Sequence, residues 1–326
     1  MISKEGSYFM MNYLSALPAA CAQGIIWGIM AIGVYITYKV LDIADLTVDG
    51  SICTGGAVCA MMVVSGKPIW LALIVACMAG MLAGFLTGIF HTFMGIPAIL
   101  SGILTQLILW SANLKIMGAA NQALPATRYN LLISRLNLDR SIIILEIVAL
   151  ILIAILYWFF GTEFGASIRA TGANLNMSRA QGINTNFTKI IGLIISNGIV
   201  ALAGALVCQY NGNASITMGQ GAIVTGLAAV IIGEALFGWL CRNNFALKLI
   251  VVVIGGIIYY IVYTTVIYIG LDADLLKMIA AILVAVFLAI PYWKKKYFSN
   301  AMYAEKRELK KQLKSDKKAN KKKEVA

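Results

Sequence analysis

Three aspartates, Asp42, Asp45 and Asp49, crowd a short stretch between two long apolar runs, in a chain whose 326 residues include only 14 acidic ones. Its centre reads "DLTVDGS", Asp45 to Ser51, and a second polar break, "SITMGQG" from Ser215 to Gly221, has the same look. Carboxylates, hydroxyls and glycines set in apolar sequence suit the handling of a small charged solute. Asp49 is the natural counter-charge for an ammonium group, while N–H groups freed where a helix starts suit a carboxylate. Gly50-Ser51 and Gly219-Gln220-Gly221 offer such N–H groups, and Thr47, Ser51 and Thr217 add hydroxyls. An aromatic solute would find Trp110 or Tyr210 to stack on. Each residue also has a plainer use: an Asp at a helix start accepts backbone N–H bonds as a cap, and Trp and Tyr anchor spans at the membrane surface.

Nothing else in the chain forms a catalytic set. The single histidine, His91, ends an apolar run without a neighbouring acid or cysteine, and reads as an interfacial side chain. "VVSGKP" has a Gly-Lys pair but lacks the upstream glycine and the hydroxyl of a phosphate loop, so nucleotide hydrolysis through that motif is excluded. The six cysteines show neither CxxC nor paired spacing, which argues against a zinc site or a disulfide framework. Two acids sit within apolar runs: Glu146 in "SIIILEIVAL" and Glu234 in "IIGEALFGW". Acids in spans are expensive and commonly functional, so either suits proton coupling, with a hydrogen bond to a neighbouring helix as the plainer alternative.

The elements that must position these residues are membrane spans. The chain is 60% hydrophobic and 12% charged, with mean hydropathy +0.85, against about half apolar and a quarter charged in soluble domains. An all-α polytopic membrane protein follows. Taking about 20 apolar residues per span, runs lie at Leu14–Tyr38, Leu46–Val64, Ile69–Phe90, Ile96–Ala112, Ser141–Phe160, Ile190–Tyr210, Ala222–Leu240, Leu247–Tyr268 and Leu275–Pro291. The first reads as a retained span, not a removed leader. Residues 1–293 form the transmembrane domain, and 294–326 a basic tail with 13 of the 26 basic and 4 of the 14 acidic residues. That tail lacks the aromatic interleaving of a nucleic-acid reader; it reads as cytoplasmic, in contact with anionic lipid. The segment 161–189 carries Arg169, Arg179 and Lys189 against Glu163 and belongs on the same side. The nine runs place the N-terminus outside. A tenth crossing hidden in Lys39–Val64 or Asn113–Arg140 would place it inside, and ten spans with the N-terminus inside is the expectation adopted.

"LTVDGSICTGGAV" (Leu46–Val58) can be laid on "ITMGQGAIVTGLAAV" (Ile216–Val230) with a one-residue shift that aligns Thr54-Gly55 with Thr225-Gly226. Corresponding Gly-interrupted, polar segments in two halves point to a substrate path built from broken helices. Between the halves lies "EFGASIRATGANLNMSRAQGINTNFTKIIG", too polar to span, where a helix over Ala170–Ala180 with Gly182 as its stop is expected.

At this segment the chain resembles the permease subunits of ABC importers for branched-chain amino acids and ribose-type sugars. It is most similar to the subfamily named for tryptophan and tyrosine transport. The landmarks are "DLTVDGS", "SGILTQLILWSANLKIMG", "RATGANLNMSRAQGIN" and "QYNGNASITMGQGAIVTGLAAVIIGEALFG", and the likeness runs from about Gly24 to Pro291. The resemblance implies a homodimer of permeases in a bacterial cytoplasmic membrane, joined by two ATPase subunits that hold ATP and Mg, and fed by an extracytoplasmic binding protein. No cofactor is expected in this chain itself. By the same match Arg169 to Asn184 docks in the ATPase, with Arg169, Thr171, Gly172, Asn174, Arg179 and Gly182 as coupling residues. Amino acid, sugar or nucleoside cargo remains open at this level, as does an ion-coupled carrier using Glu146 or Glu234.

Overall fold

The structure, a computed structural model, describes residues 2–239 and 244–268 and scattered positions between 278 and 289, with side chains from Tyr13 onward. Everything below concerns the first of its two compact units, Met1–Ala281. The expected run Leu275–Pro291 and the basic tail lie outside the described residues, apart from those scattered positions. Helices dominate: α1 (Ile2–Tyr35), α2 (Val48–Val64), α3 (Ile69–Thr92), α4 (Ala98–Met117), α5 (Leu138–Gly161), α6 (Glu163–Ala173), α7 (Leu175–Ala180), α8 (Thr185–Asn211), α9 (Ala222–Phe237) and α10 (Phe245–Tyr268). A π-helical turn, Ile36–Val40, extends α1. Strands β1 (Asn121–Ala123) and β2 (Asn213–Ser215) pair antiparallel at one end of the bundle.

Six of these helices are long and apolar enough to cross a membrane, and α2 and α9 are shorter. The short pair are the two that follow the polar breaks. At 1.5 Å per residue α2 and α9 reach about 25 Å, less than a hydrocarbon core of about 30 Å, so the irregular segments preceding them complete their crossings.

Contacts fix the directions. α3 lies antiparallel to α8, with Gly80 against Asn197 and Ala201, and Gly88 against Ile190. α10 lies antiparallel to α1 in the same way, with Gly24 against Ile257 and Gly28 against Val253. These small residues let helix backbones touch, which is how helices associate where lipid offers no hydrophobic drive. α1 and α8 cross at the centre antiparallel, Ser196 Oγ donating to Gly33 O (2.8 Å) and Tyr210 Oη to Ala19 O (3.3 Å). α2 runs parallel to α8, pairing Ser51 with Asn197 and Gly55 with Ala201. α9 runs parallel to α1, with Gly226 on Met30 and Val34, and Glu234 salt-bridged to Lys39 at 2.8 Å. Thus α1–α3 correspond to α8–α10 turned upside down.

Two expectations change. α1 starts at the end of the bundle that carries the strands, with Tyr13 on Thr265 and Tyr268 of α10, opposite the end where α6 and α7 lie. Five crossings therefore precede α6, the broken one included, in place of the six that a ten-span reading needed. Residues 113–140 hide no crossing: α4 runs on to Met117, then β1 and an irregular segment lead into α5. Within the segment between α5 and α8, the single helix expected over Ala170–Ala180 is two. Asn174 breaks it with extended backbone (φ −157°, ψ 104°) and caps α7 by accepting Met177 N–H at 3.0 Å. An Asn side chain bonds backbone better at a helix start than inside a helix.

Candidate substrate path where two half-helices meet

From Leu41, at the α6–α7 end, the chain returns into the bundle as an irregular segment that reaches Asn197, near the middle of α8, before α2 begins. From the opposite end, Ile216–Gly221 descends past Gly56 and Ile52 to the same level, and α9 begins there. The two half-helices therefore start at mid-bundle, N-terminus to N-terminus, and run apart. Each start carries the positive end of a helix dipole, and a carboxylate meets each one.

Asp45 serves α2. Its Oδ1 accepts Thr47 N–H (2.9 Å) and its Oδ2 accepts Asn197 Nδ2–H (2.7 Å), while Asn197 Oδ1 accepts the Ser51 hydroxyl at 2.6 Å. Beside this set a hydroxyl chain links α2, α3 and α4, Thr47 to Thr87 at 2.7 Å and Thr87 to Thr105 at 2.9 Å. All of these side chains are buried.

Asp49 serves α9, across the repeat. α9 starts at Gly221, whose φ of 81° suits glycine and which has no side chain with which to cap. Asp49 supplies the missing acceptor: Oδ2 takes Gly221 N–H (3.1 Å) and Oδ1 takes Ile223 N–H (2.9 Å). Gly219 lies against the Asp49 backbone, where a Cβ would collide. Ala222 N–H and Gln220 N–H are satisfied within the break, by Gly219 O and Thr217 O. In this state the protein's own carboxylate occupies the α9 start.

The eight residues expected to form the path thus divide. Thr47, Gly50, Ser51 and Gly219 are buried, the two hydroxyls engaged with Thr87 and Asn197 and Gly50 packed on Gln106 and Leu109 of α4. Asp49 is half-buried, and Thr217, Gln220 and Gly221 are exposed. Trp110 is exposed on α4, whereas Tyr210 is buried, with Arg135 5.4 Å over its ring. Glu234 pairs with Lys39, and Glu146 is exposed on α5, away from the breaks. His91 donates Nδ1–H to Ile96 O at 2.9 Å, since a carbonyl can only accept, and its Nε2 faces Lys189 Nζ at 3.4 Å. Asn197 and Asp45 were missed as a pair; the legible signal was a lone Asn inside an apolar run.

Comparison with known proteins identifies this architecture. Residues 18–292 match the family described as "Branched-chain amino acid transport system / permease component". The chain belongs to this family of ABC permeases. Among its relatives is the "Tyrosine transport system permease protein" of Clostridioides difficile, 36% identical over 277 residues that make up 85% of this chain and 91% of that one. An uncharacterized protein of Rickettsia prowazekii is 34% identical over 85% of this chain and 98% of its own length. An autoinducer 2 import system permease of Yersinia pseudotuberculosis is 32% identical over 48% of this chain and 45% of that one.

In this permease α6 is seated on the repeat. Gly172 lies directly against Val40 and Leu41, where the π-helical turn ends, and the Thr171 and Thr188 hydroxyls bond at 2.9 Å. α7 closes with the two bonds of a Schellman motif, Ile183 N–H to Ser178 O and Gly182 N–H to Arg179 O, with Gly182 at φ 81°. Arg179 Nε–H donates to Thr185 Oγ1 at 3.0 Å, while Asn174, Met177, Arg179 and Gly182 stay exposed. Arg169 is turned elsewhere, into the gap between the ends of α1, α5 and α10.

Proposed function

We propose that this permease is the translocating subunit of an ATP-driven importer in a bacterial cytoplasmic membrane, carrying an amino acid, most suitably an aromatic one such as tyrosine. The observation that carries the translocation reading is Ile216–Gly221: irregular backbone at mid-bundle, with Thr217, Gln220 and Gly221 exposed. Lipid is a poor solvent for exposed polar side chains and non-helical segments, and both are tolerated at membrane depth only against protein or a water-filled path. A second copy of the chain placed against this face encloses that path.

In this reading the binding protein delivers cargo at the β1–β2 end, and a separate ATPase subunit binds the exposed tip of α7. Closure of the ATPase pair pushes α6 on Val40–Leu41, and the segment leading to Asp45 and Asp49 shifts. Asp49 then releases the α9 start, whose N–H groups become available to the cargo carboxylate, while the freed Asp49 carboxylate faces the cargo ammonium. The permease thus supplies two states of different affinity, and the ATPase supplies the bias between them. The tyrosine label of the Clostridioides difficile relative, matched over nearly the whole chain, supports amino-acid cargo over the partial autoinducer 2 matches.

The test is uptake by vesicles holding the permease with the ATPase and binding protein encoded beside it. Tyrosine uptake is expected to require ATP, to survive an uncoupler, and to resist competition by ribose and nucleosides. Uptake abolished by the uncoupler without any ATPase overturns the importer reading; competition by sugars alone overturns the amino-acid assignment.

A further inference from the structure

Two cavities adjoin at the α6–α7 end of the permease. The smaller, about 250 Å³, is lined by Lys39, Arg169 and Lys248 with Tyr35 and Phe245. The larger, about 480 Å³, is lined by Tyr157, Trp158, Phe160 and Thr162, and shares Arg169 and Phe245 with the first. No carboxylate lines either among the described residues; Glu234 pairs with Lys39 from outside the lining and leaves Arg169 and Lys248 uncompensated by any salt bridge found there. The cations share one depth. Lys39 ends the span Tyr13–Val40, Lys248 lies in the first turn of α10, and Arg169 lies on α6 just beyond the end of α5. Trp158 and Tyr157 lie in the last turns of α5 and are 72% and 55% exposed, above a face that also exposes Ile151 and Ile155.

We infer that this cleft binds an anionic glycerophospholipid. Its phosphodiester sits between Arg169 and Lys248, and its acyl chains descend over Trp158 along α5. Basic pockets between span ends hold anionic headgroups, and Trp and Tyr prefer that depth. The ligand chemistry alone, a phosphate ester, would also fit a soluble phosphate. The second, aromatic cavity opening onto the apolar face of α5 selects a lipid, because a soluble anion has no use for it. Gly172 lines the smaller cavity while seated on Val40–Leu41, so the lipid buttresses the seat of α6. The site does not depend on the cargo or on the transport reading.

The experiment is native mass spectrometry of the full-length permease, delipidated into detergent and titrated with phosphatidylglycerol or phosphatidylcholine. Each basic charge near the surface is worth about a fivefold factor in anionic-lipid affinity, so R169Q/K248Q is expected to bind phosphatidylglycerol roughly 25-fold more weakly. The tail is unchanged in both proteins and contributes equally. K115Q, at the opposite end of α4, is expected to bind as the wild type does, and R169K/K248R keeps the site if the double Gln variant fails to fold. Equal binding of phosphatidylglycerol by wild type and R169Q/K248Q overturns the proposal, as does displacement of the lipid by inorganic phosphate or glycerol phosphate. Unchanged lipid binding with loss of the ATPase partner from the purified complex also overturns it, and makes the cleft a protein-docking surface.

Discussion

Asp49 is one residue into α2 yet acts on α9, through a carboxylate that accepts Gly221 and Ile223 N–H. Removing those acceptors leaves two backbone donors of a half-helix unpaired at mid-bundle, and a lost cap of this kind costs about 1–2 kcal/mol. Asp49→Ala is therefore expected to lower the unfolding midpoint of the purified permease in a fixed detergent. Asp49→Asn should lower it less, since one amide oxygen still accepts. Both variants should also lose uptake. A rise in KM with an unchanged unfolding midpoint would assign the carboxylate to the cargo and not to the helix. At this scale the sequence showed where polar groups break the spans, because Asp and Gly in apolar sequence are conspicuous. It did not show which partner each one meets. In sequence Asp49 reads equally as a cap, but a cap on a helix start 172 residues away has no local signature. Thr47 and Ser51 read as cargo ligands for the same reason: their partners, Thr87 and Asn197, lie on other helices.

Among the elements, α7 closes on a turn whose backbone geometry Gly182 sets. Gly182 holds φ 81° with open space around it, so a side chain there meets no steric clash and only the backbone conformation objects. The left-handed region costs an L-residue about 1–2 kcal/mol, while Asn enters it more readily than β-branched residues. Gly182→Val is expected to break the Schellman closure, letting substrate-stimulated ATP hydrolysis continue while uptake falls, with the permease still inserted. Gly182→Asn should retain most uptake. Normal coupling in the Val variant, measured on the reconstituted complex, would rule out α7 as the docking element. Gly182 was legible as a helix stop because glycine after a helical pattern is the ordinary signal. The break at Asn174 was not, since Asn is tolerated within helices and its capping bond to Met177 appears only once the chain turns.

For the whole molecule, the repeat was visible as one aligned pair, Thr54-Gly55 with Thr225-Gly226, and the structure gives both members one job. Each threonine donates back to the glycine four residues earlier, Gly50 (3.0 Å) and Gly221 (3.3 Å), and each following glycine seats its half-helix on a central one, α8 or α1. Inversion itself left no mark in the letters, because a helix pattern reads alike whichever way it crosses. That inversion brings both helix starts to one level and leaves Thr217, Gln220 and Val224 exposed there, where lipid contact would place the Thr217 hydroxyl and the Gln220 amide in hydrocarbon. The proposed water-filled path between two copies requires that this face be wet. Gln220→Cys and Val224→Cys, in a variant lacking the native cysteines, are expected to react with a water-soluble maleimide in the assembled transporter. Ile151→Cys, on the apolar face of α5, should react only with a lipid-soluble one. Silence of both Gln220→Cys and Val224→Cys toward the soluble reagent, alongside reaction with the lipid-soluble one, would place this face against lipid and remove the path from it.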